Sequence, residues 1–477
     1  MRLIFCCVAV FAGLAGEPLR ASQPIDDSRA RSQGIRKLTG RHLVLYTDLP
    51  AGAEVDKLPA VFDQAVPQWC AYFGIDRAKT TNWQARAFVI AERRRFDALG
   101  LMPAGNNDQF VNGISVGSDM WLYDQPTPYY RRHLLLHEGT HVFMAAFLGG
   151  CGPGWYMEGT AELLATHRLD PHTGKLTLRI MPQSRAEVPM LGRIKLIRDA
   201  RAAGRALDFP AVLQIDNRQQ LGNDAYAWCW AACKLLDSHP RYRDRFRQLK
   251  KHVLAPDFNE IVRRQYAADW ADLITEWQAF LATLDHGYDF ERMAIDFRPG
   301  VPLDGRQKRV TIAADRGWQS SAVWLNADTP YRLTARGRYQ IAVEIQDGVE
   351  EPWPCEPGGV TIEYHDGRPL GMLLAAVVRA SPDPVVRGSP APVVRGSPDP
   401  AQRPTEGLPI DQESTPPKSS ASNLHEASFA KPMAVGLGRT VKPATSGMLY
   451  LRVNDSAAKL GDNRGTLTVM IEAVDTE

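Results

Sequence analysis

His137-Glu138-Gly139-Thr140-His141 sets two imidazoles four residues apart with a carboxylate beside the first. On a helix, residues i and i+4 share a face, so both rings can reach one metal ion. Zinc suits such a pair, because it takes neutral His nitrogen at about 2.0–2.1 Å and keeps one position open for water. Downstream, Trp155-Tyr-Met-Glu158-Gly-Thr-Ala-Glu162 offers Glu158 as a third ligand. Glu162, four residues further on, could orient a ligating His through its free ring nitrogen. The chain therefore holds His, His, Glu and a base, the set a metallohydrolase needs. Zinc would acidify its water, and Glu138 stands ready as the base.

H-E-x-x-H also occurs by chance on ordinary helices, so the surroundings matter. Pro126 and Pro128 precede a proline-free run, Tyr129–Leu148, that ends at Gly149-Gly150, which predicts a helix. Leu134, Val142 and Ala145 flank the motif with apolar neighbours. On a buried helix two unliganded histidines would be costly. A second helix is predicted over Tyr156–His167 and carries both glutamates. Gly139 and Gly159 each cost a helix roughly 1 kcal/mol relative to Ala. Two helices meeting closely over a metal would explain residues without side chains there.

The pair H-E-x-x-H and W-x-x-E-G-x-A-E resembles the gluzincin metallopeptidases, the group that includes thermolysin and the leucine- and alanyl-type aminopeptidases. The likeness spans about residues 35 to 285, with its specific motifs confined to 137–162. It implies His137, His141 and Glu158 as zinc ligands, Glu138 as catalytic base and Glu162 as the acid behind the ligands. It also implies a fold: a mixed sheet bearing the zinc helix, then a helical half that closes the cleft. Tyr226-Ala-Trp-Cys-Trp-Ala-Ala-Cys-Lys-Leu-Leu236 is similar to the aminopeptidase helix that opens with a tyrosine stabilising the transition state. Tyr226 would then donate to the oxyanion; as an alternative, it caps the core at a helix start.

Substrate choice is less legible. Gly113–Tyr123 alternates like an edge strand able to pair with an extended peptide. It lacks the glutamate of the aminopeptidase G-x-M-E-N strand, and Asp119 is its only acid. That departure favours an endopeptidase acting on peptide or protein.

With 477 residues, 44% hydrophobic and 23% charged, the chain has globular composition and room for two or three domains. A net charge of +2 gives no argument for nucleic acid. Met1-Arg2 followed by Leu3–Leu14 has the shape of a signal peptide ending near Ala21, so the expected destination is secreted or periplasmic. At roughly a dozen apolar residues it is short for a membrane span, which needs about 20. Cys70, Cys151, Cys229, Cys233 and Cys355 are too sparse and uneven for a disulfide framework, and Cys229 and Cys233 read as small buried residues.

The expected class is α+β. Residues 22–36 are polar and expected to be disordered. A gluzincin-like domain is placed at 35–295, with helices at Glu54–Phe73, Pro189–Ala203, Ala225–Ser238, Tyr242–Val253 and Trp270–Leu284. From 300 to 477, short β-rich stretches separated by Gly, Pro and Asp predict a β-sandwich. A Pro/Ser-rich insertion at 380–432, containing Val385-Val-Arg-Gly-Ser-Pro390 and its copy at 393–398, is expected to be disordered.

Gly447–Asp455 and Lys459–Val469 are similar to the closing strands of the calcium-dependent galactophilic lectins of the PA-IL type. That resemblance implies calcium held by Asp455, the Lys459 carbonyl, Asp462 and Asn463, oxygen donors that suit the ion. The lectins have Thr where Lys459 stands, and their sugar-contacting His-Pro-x-x-Gln stretch has no counterpart. A tight Asp/Asn turn between two strands would use the same residues without a metal. Two functions are therefore carried forward. One is a secreted zinc peptidase with a calcium- or carbohydrate-binding accessory domain. The other is a surface- or carbohydrate-binding protein whose gluzincin-like domain is idle, against which the intact Glu138 argues.

Overall fold

The computed structural model describes residues 24–103, 110–216, 222–303, 307–378 and 429–474. The expected signal segment, and the insertion up to residue 428, lie outside them. The described chain mixes helices with several sheets, as an α+β protein does.

The N-terminal half is built on a five-stranded sheet. Its strands are β1 (Arg36–Thr39), β2 (Leu43–Thr47), β3 (Ala85–Ile90), β4 (Gly113–Val116) and β5 (Asp119–Tyr123), in the order β1-β2-β3-β5-β4. β2, β3 and β5 run parallel, while β1 and β4 are antiparallel edges. Strand alternation gives the sheet two apolar faces. Leu43 and Leu45 join the large core under helix Leu58–Phe73, and Tyr46 joins Phe88 and Trp121 on the other side.

Several expectations are corrected. Residues 24–36 are ordered: helix Asp27–Ser32 is capped by Asp26, and Ala30 and Ile35 are buried beside Phe88. Ion pairing of Asp27 to Lys37, and its hydrogen bond from Tyr46, tie that helix to the sheet. The single helix expected at Glu54–Phe73 breaks at Lys57 into Ala53–Asp56 and Leu58–Phe73; Pro59 stands in the first turn of the second helix, where its missing N–H costs nothing, while Pro67 is carried in its interior. Gly113–Tyr123 is a hairpin rather than one strand; Gly117, with φ +62°, turns the chain so that β4 alone forms the edge.

The histidine helix, Pro128–Leu148, begins where the Thr127 hydroxyl accepts from Tyr130 N–H (3.2 Å) and ends at left-handed Gly149. The glutamate helix, Gly154–Ala165, is buried along its whole length. Helices Arg193–Ala202, Asn223–Ser238, Arg243–Gln248, Phe258–Gln265 and Trp270–Thr283 are the longer ones that follow; the helix expected from Pro189 begins only at Arg193, and the one expected over Tyr242–Val253 tightens to a 3-10 turn at Leu249–His252. Both motif glycines sit at helix crossings. A Cβ on Gly139 would meet Phe62 at 2.6 Å and Trp69 at 2.9 Å; one on Gly159 would meet the Cys229 carbonyl and the Cys233 sulfur, both at 2.4 Å. All five cysteines described are buried and free.

The C-terminal half is a β-sandwich. A five-stranded sheet (Met433–Ala434, Leu373–Val378, Gly447–Val453, Gln319–Leu325, Val301–Pro302) faces a four-stranded one (Gly438–Val441, Tyr331–Arg336, Thr466–Ala473, Gln307–Ala313). Alternate residues such as Leu333, Leu451 and Ile471 fill the space between them. The end of the expected insertion is ordered, since Phe429 is buried against Trp318 and Tyr450. The halves share a seam: Ala457 and Leu460 are buried in the N-terminal core, and Asp289 N–H donates to the Ala457 carbonyl (3.0 Å). No helix of the described residues is long and apolar enough to cross a membrane.

Candidate metal centre

One turn apart on the histidine helix, His137 and His141 turn their Nε2 atoms toward each other at 3.2 Å. Glu158 Oε2, from the neighbouring helix, lies 3.1 Å from His137 Nε2 and 3.4 Å from His141 Nε2. Tetrahedral bonds of about 2.0–2.1 Å place ligand atoms roughly 3.3 Å apart, so this triangle has the size zinc imposes. The three expected ligands therefore come together on two neighbouring helices, but the motif glycines do not mark that contact: Gly159 gives room to helix Asn223–Ser238 and Gly139 to helix Leu58–Phe73.

Behind the triangle, Glu162 touches His137 Nδ1 through Oε1 (3.3 Å) and His133 Nε2 through Oε2 (3.4 Å). It is the acid expected to orient a ligand, and it leaves His137 Nε2 facing the triangle. Arg193, on helix Arg193–Ala202, grips the same carboxylate with two bonds of 2.7 and 2.8 Å. His133 gives Nδ1 to the Ala165 carbonyl region (3.0 Å). Sequence reasoning missed both residues. The signal for His133 was its place one turn before His137, which makes a ladder of three histidines; Arg193 had no local signal.

Glu138 is 1% exposed, and among the described residues the Ser115 hydroxyl is the group that acts on its carboxylate as a hydrogen-bond donor. Burial raises its pKa above the ordinary carboxylate value. Its side chain presses on edge strand β4: a Cβ on Gly113 would stand 2.9 Å from Glu138 Oε1. Burial would also raise Glu158, but the charges and hydrogen bonds of His141 and His137 outweigh it and hold the carboxyl down at about 2. Glu162 is likewise held well down against its burial, by Arg193 and His133 first. Of the three buried carboxylates only Glu162 meets a guanidinium, that of Arg193, so the Glu158 charge is left to the histidines. Isolated buried charge is expensive, and a divalent cation would balance it. With no metal the deficit shows on His137, whose pKa is driven well up, against burial, by Glu158 and Glu162.

Tyr226, on helix Asn223–Ser238, is buried with its ring 6.0 Å from that of His137 and 5.6 Å below the Arg193 guanidinium. A cleft of about 400 Å³ adjoins this set and is lined by Asn112, Tyr130, Arg193 and Asn223 among others. Asp119, the lone acid of the hairpin, is ion-paired with Arg86.

The second expected set is also brought together. Asp455 is 1% exposed; its Oδ1 accepts from Ser456 N–H (2.6 Å) and its Oδ2 from Asn463 Nδ2 (2.9 Å). Oδ1 of Asp462 and Oδ1 of Asn463 are buried and have no hydrogen-bond partner among the described residues. The Lys459 carbonyl meets only Asp462 N–H, at 3.4 Å, while its ammonium pairs with Glu363. Burial, reinforced by the Asp462 charge, pushes the Asp455 carboxyl up to about 6. Orphaned oxygens beside a destabilised carboxylate fit a hard cation.

No family model matches the chain. No curated protein matches it either. Among solved structures, the N-terminal domain of EclA, a PllA-like lectin, is similar to 35% of this chain over 96% of its own length, at 13% identity and a TM-score of 0.19. At that distance the likeness says nothing of what this chain binds.

Proposed function

We propose that the N-terminal half is a gluzincin-like zinc peptidase, secreted or periplasmic, and that the C-terminal half is its calcium-binding accessory domain. The observation that supports the first part is the buried His137–His141–Glu158 triangle with its uncompensated charge. Zinc bound there would supply a Lewis acid and an acidified water. Glu138 lies buried beside it, and burial raises its pKa, which favours a carboxyl that takes up a proton and gives it back. Glu162, held by Arg193, orients the His137 ring, and Tyr226, its ring 6.0 Å from that of His137, would donate to a developing oxyanion. Edge strand β4 runs past Glu138 and can pair with an extended peptide.

The absence of a free acid on β4, with Asp119 committed to Arg86, favours internal peptide bonds over an amino terminus. Calcium we read as a brace rather than a bridge to sugar. Ala457 and Leu460 of the same loop are buried in the core of the N-terminal half, so an ion held there would brace the seam. The alternative, a surface- or carbohydrate-binding protein with an idle peptidase fold, leaves Glu138 without a purpose at its cost in burial. Metal analysis of metal-replete protein tests the centre. Wild type should carry one zinc and His141→Ala none; wild type without zinc would overturn the reading.

A further inference from the structure

A cavity of about 250 Å³ opens where the two halves meet and shares no residue with either metal set. Arg201 enters it from the helical half; Trp318, His365, Arg368, Arg452 and Asn454 enter it from the sandwich. Its walls are rich in hydrogen-bond donors. Arg452 is 3% exposed, yet its partners are the Val453 carbonyl (3.2 Å), the Asp455 carbonyl (2.6 Å) and the face of Trp318 (5.6 Å). Arg368 bonds the carbonyls of Asp366 and Pro432, and Arg201 those of Leu281 and Ala282. Among the described residues no carboxylate pairs with any of the three. Asp366 lines the same cavity and its charge reaches Arg201 and Arg452, but among the described residues it bonds neither and lies 3.6 Å from His365. The indole N–H of Trp318 is buried without an acceptor.

A guanidinium taken out of water needs a counter-charge, and carbonyl oxygens supply only part of it. Its planar fork matches the oxygens of a carboxylate, sulfate or phosphate. We propose that this cavity binds a small oxyanion group, held by Arg201, Arg368 and Arg452 with the Trp318 N–H as a further donor. Its volume admits a free ion or the acid end of a small molecule, and the walls come from both halves, so occupancy ties them together.

Titration calorimetry on the full chain tests this, with phosphate, sulfate and glucuronate each added at constant ionic strength against chloride. We expect saturable one-site binding of at least one anion. Arg368→Gln and Arg201→Gln, both at partly or fully exposed residues, should each weaken it by about tenfold, the effect of one charged hydrogen bond. Their far-ultraviolet spectra and anion-free melting temperatures should stay those of wild type. Glucuronate binding without phosphate or sulfate binding would identify an organic acid as the ligand; the reverse pattern would identify a free ion. No saturable binding of any of the three, or equal binding by both variants, would overturn the proposal. General salting-in or salting-out does not saturate and does not depend on either arginine.

Discussion

Arg193→Met removes one side of a buried ion pair that holds the metal centre in place. Arg193 and Glu162 expose 5% and 2% of their side chains and share two bonds of 2.7 and 2.8 Å, so solvent screens little of the interaction. Deleting one partner of such a pair typically costs about 3–5 kcal/mol, because the other charge stays buried alone. Glu162 would keep only His133 and His137, and the strain would pass to His137 Nδ1. Loss of a partner behind a ligating His lowers metal affinity about 10–100-fold. Urea unfolding followed by tryptophan fluorescence gives the first quantity, and competition with a zinc chelator the second. The double variant Arg193→Met/Glu162→Gln should be less destabilised than the two single losses added together, since neither charge is then stranded. If Arg193→Met unfolds within about 1 kcal/mol of wild type and holds zinc as tightly, the charge argument for the site is wrong.

Gly159→Ala should destabilise by about 1–3 kcal/mol even though Ala is the better helix former by about 1, because its methyl group would meet the Cys229 carbonyl at 2.4 Å; a melting curve checks it. Calcium affinity, measured by calorimetry, should hold above pH 6 and fall as pH drops through about 6, where a proton competes for Asp455. In calcium-free protein the same shift acts on stability with its own sign. The folded pKa of about 6 lies above the ordinary value of 3.8, so the native state holds the extra proton between them and stability falls as pH rises across that window. Leu460→Ala should cost about 2–5 kcal/mol and speed proteolytic separation of the halves, since Leu460 is fully buried in the core of the other half.

Periodicity and spacing made the helices legible: the run Tyr129–Leu148 is observed as Pro128–Leu148, and Ala225–Ser238 as Asn223–Ser238. The proposed zinc triad was legible because its three residues lie on two neighbouring helices whose register local sequence sets. Arg193 was not, because its bond to Glu162 depends on how helix Arg193–Ala202 docks, and docking leaves no local mark. The order of residues 24–36 was hidden for the same reason. Its composition is polar, but Asp27 finds Lys37 and Tyr46 only once β1 and β2 have paired. The hairpin at Gly113–Tyr123 turned on one glycine whose positive φ an alternation pattern overlooks. The calcium set was visible as a motif, whereas the burial of Ala457 and Leu460 beneath the other half was not.

The most direct test of the central reading compares zinc content and cleavage of a broad quenched-peptide library for wild type and Glu138→Gln. Stoichiometric zinc in both, with cleavage by wild type only, is the expected result. Cleavage that survives Glu138→Gln, or zinc in both with no cleavage by wild type, would contradict it.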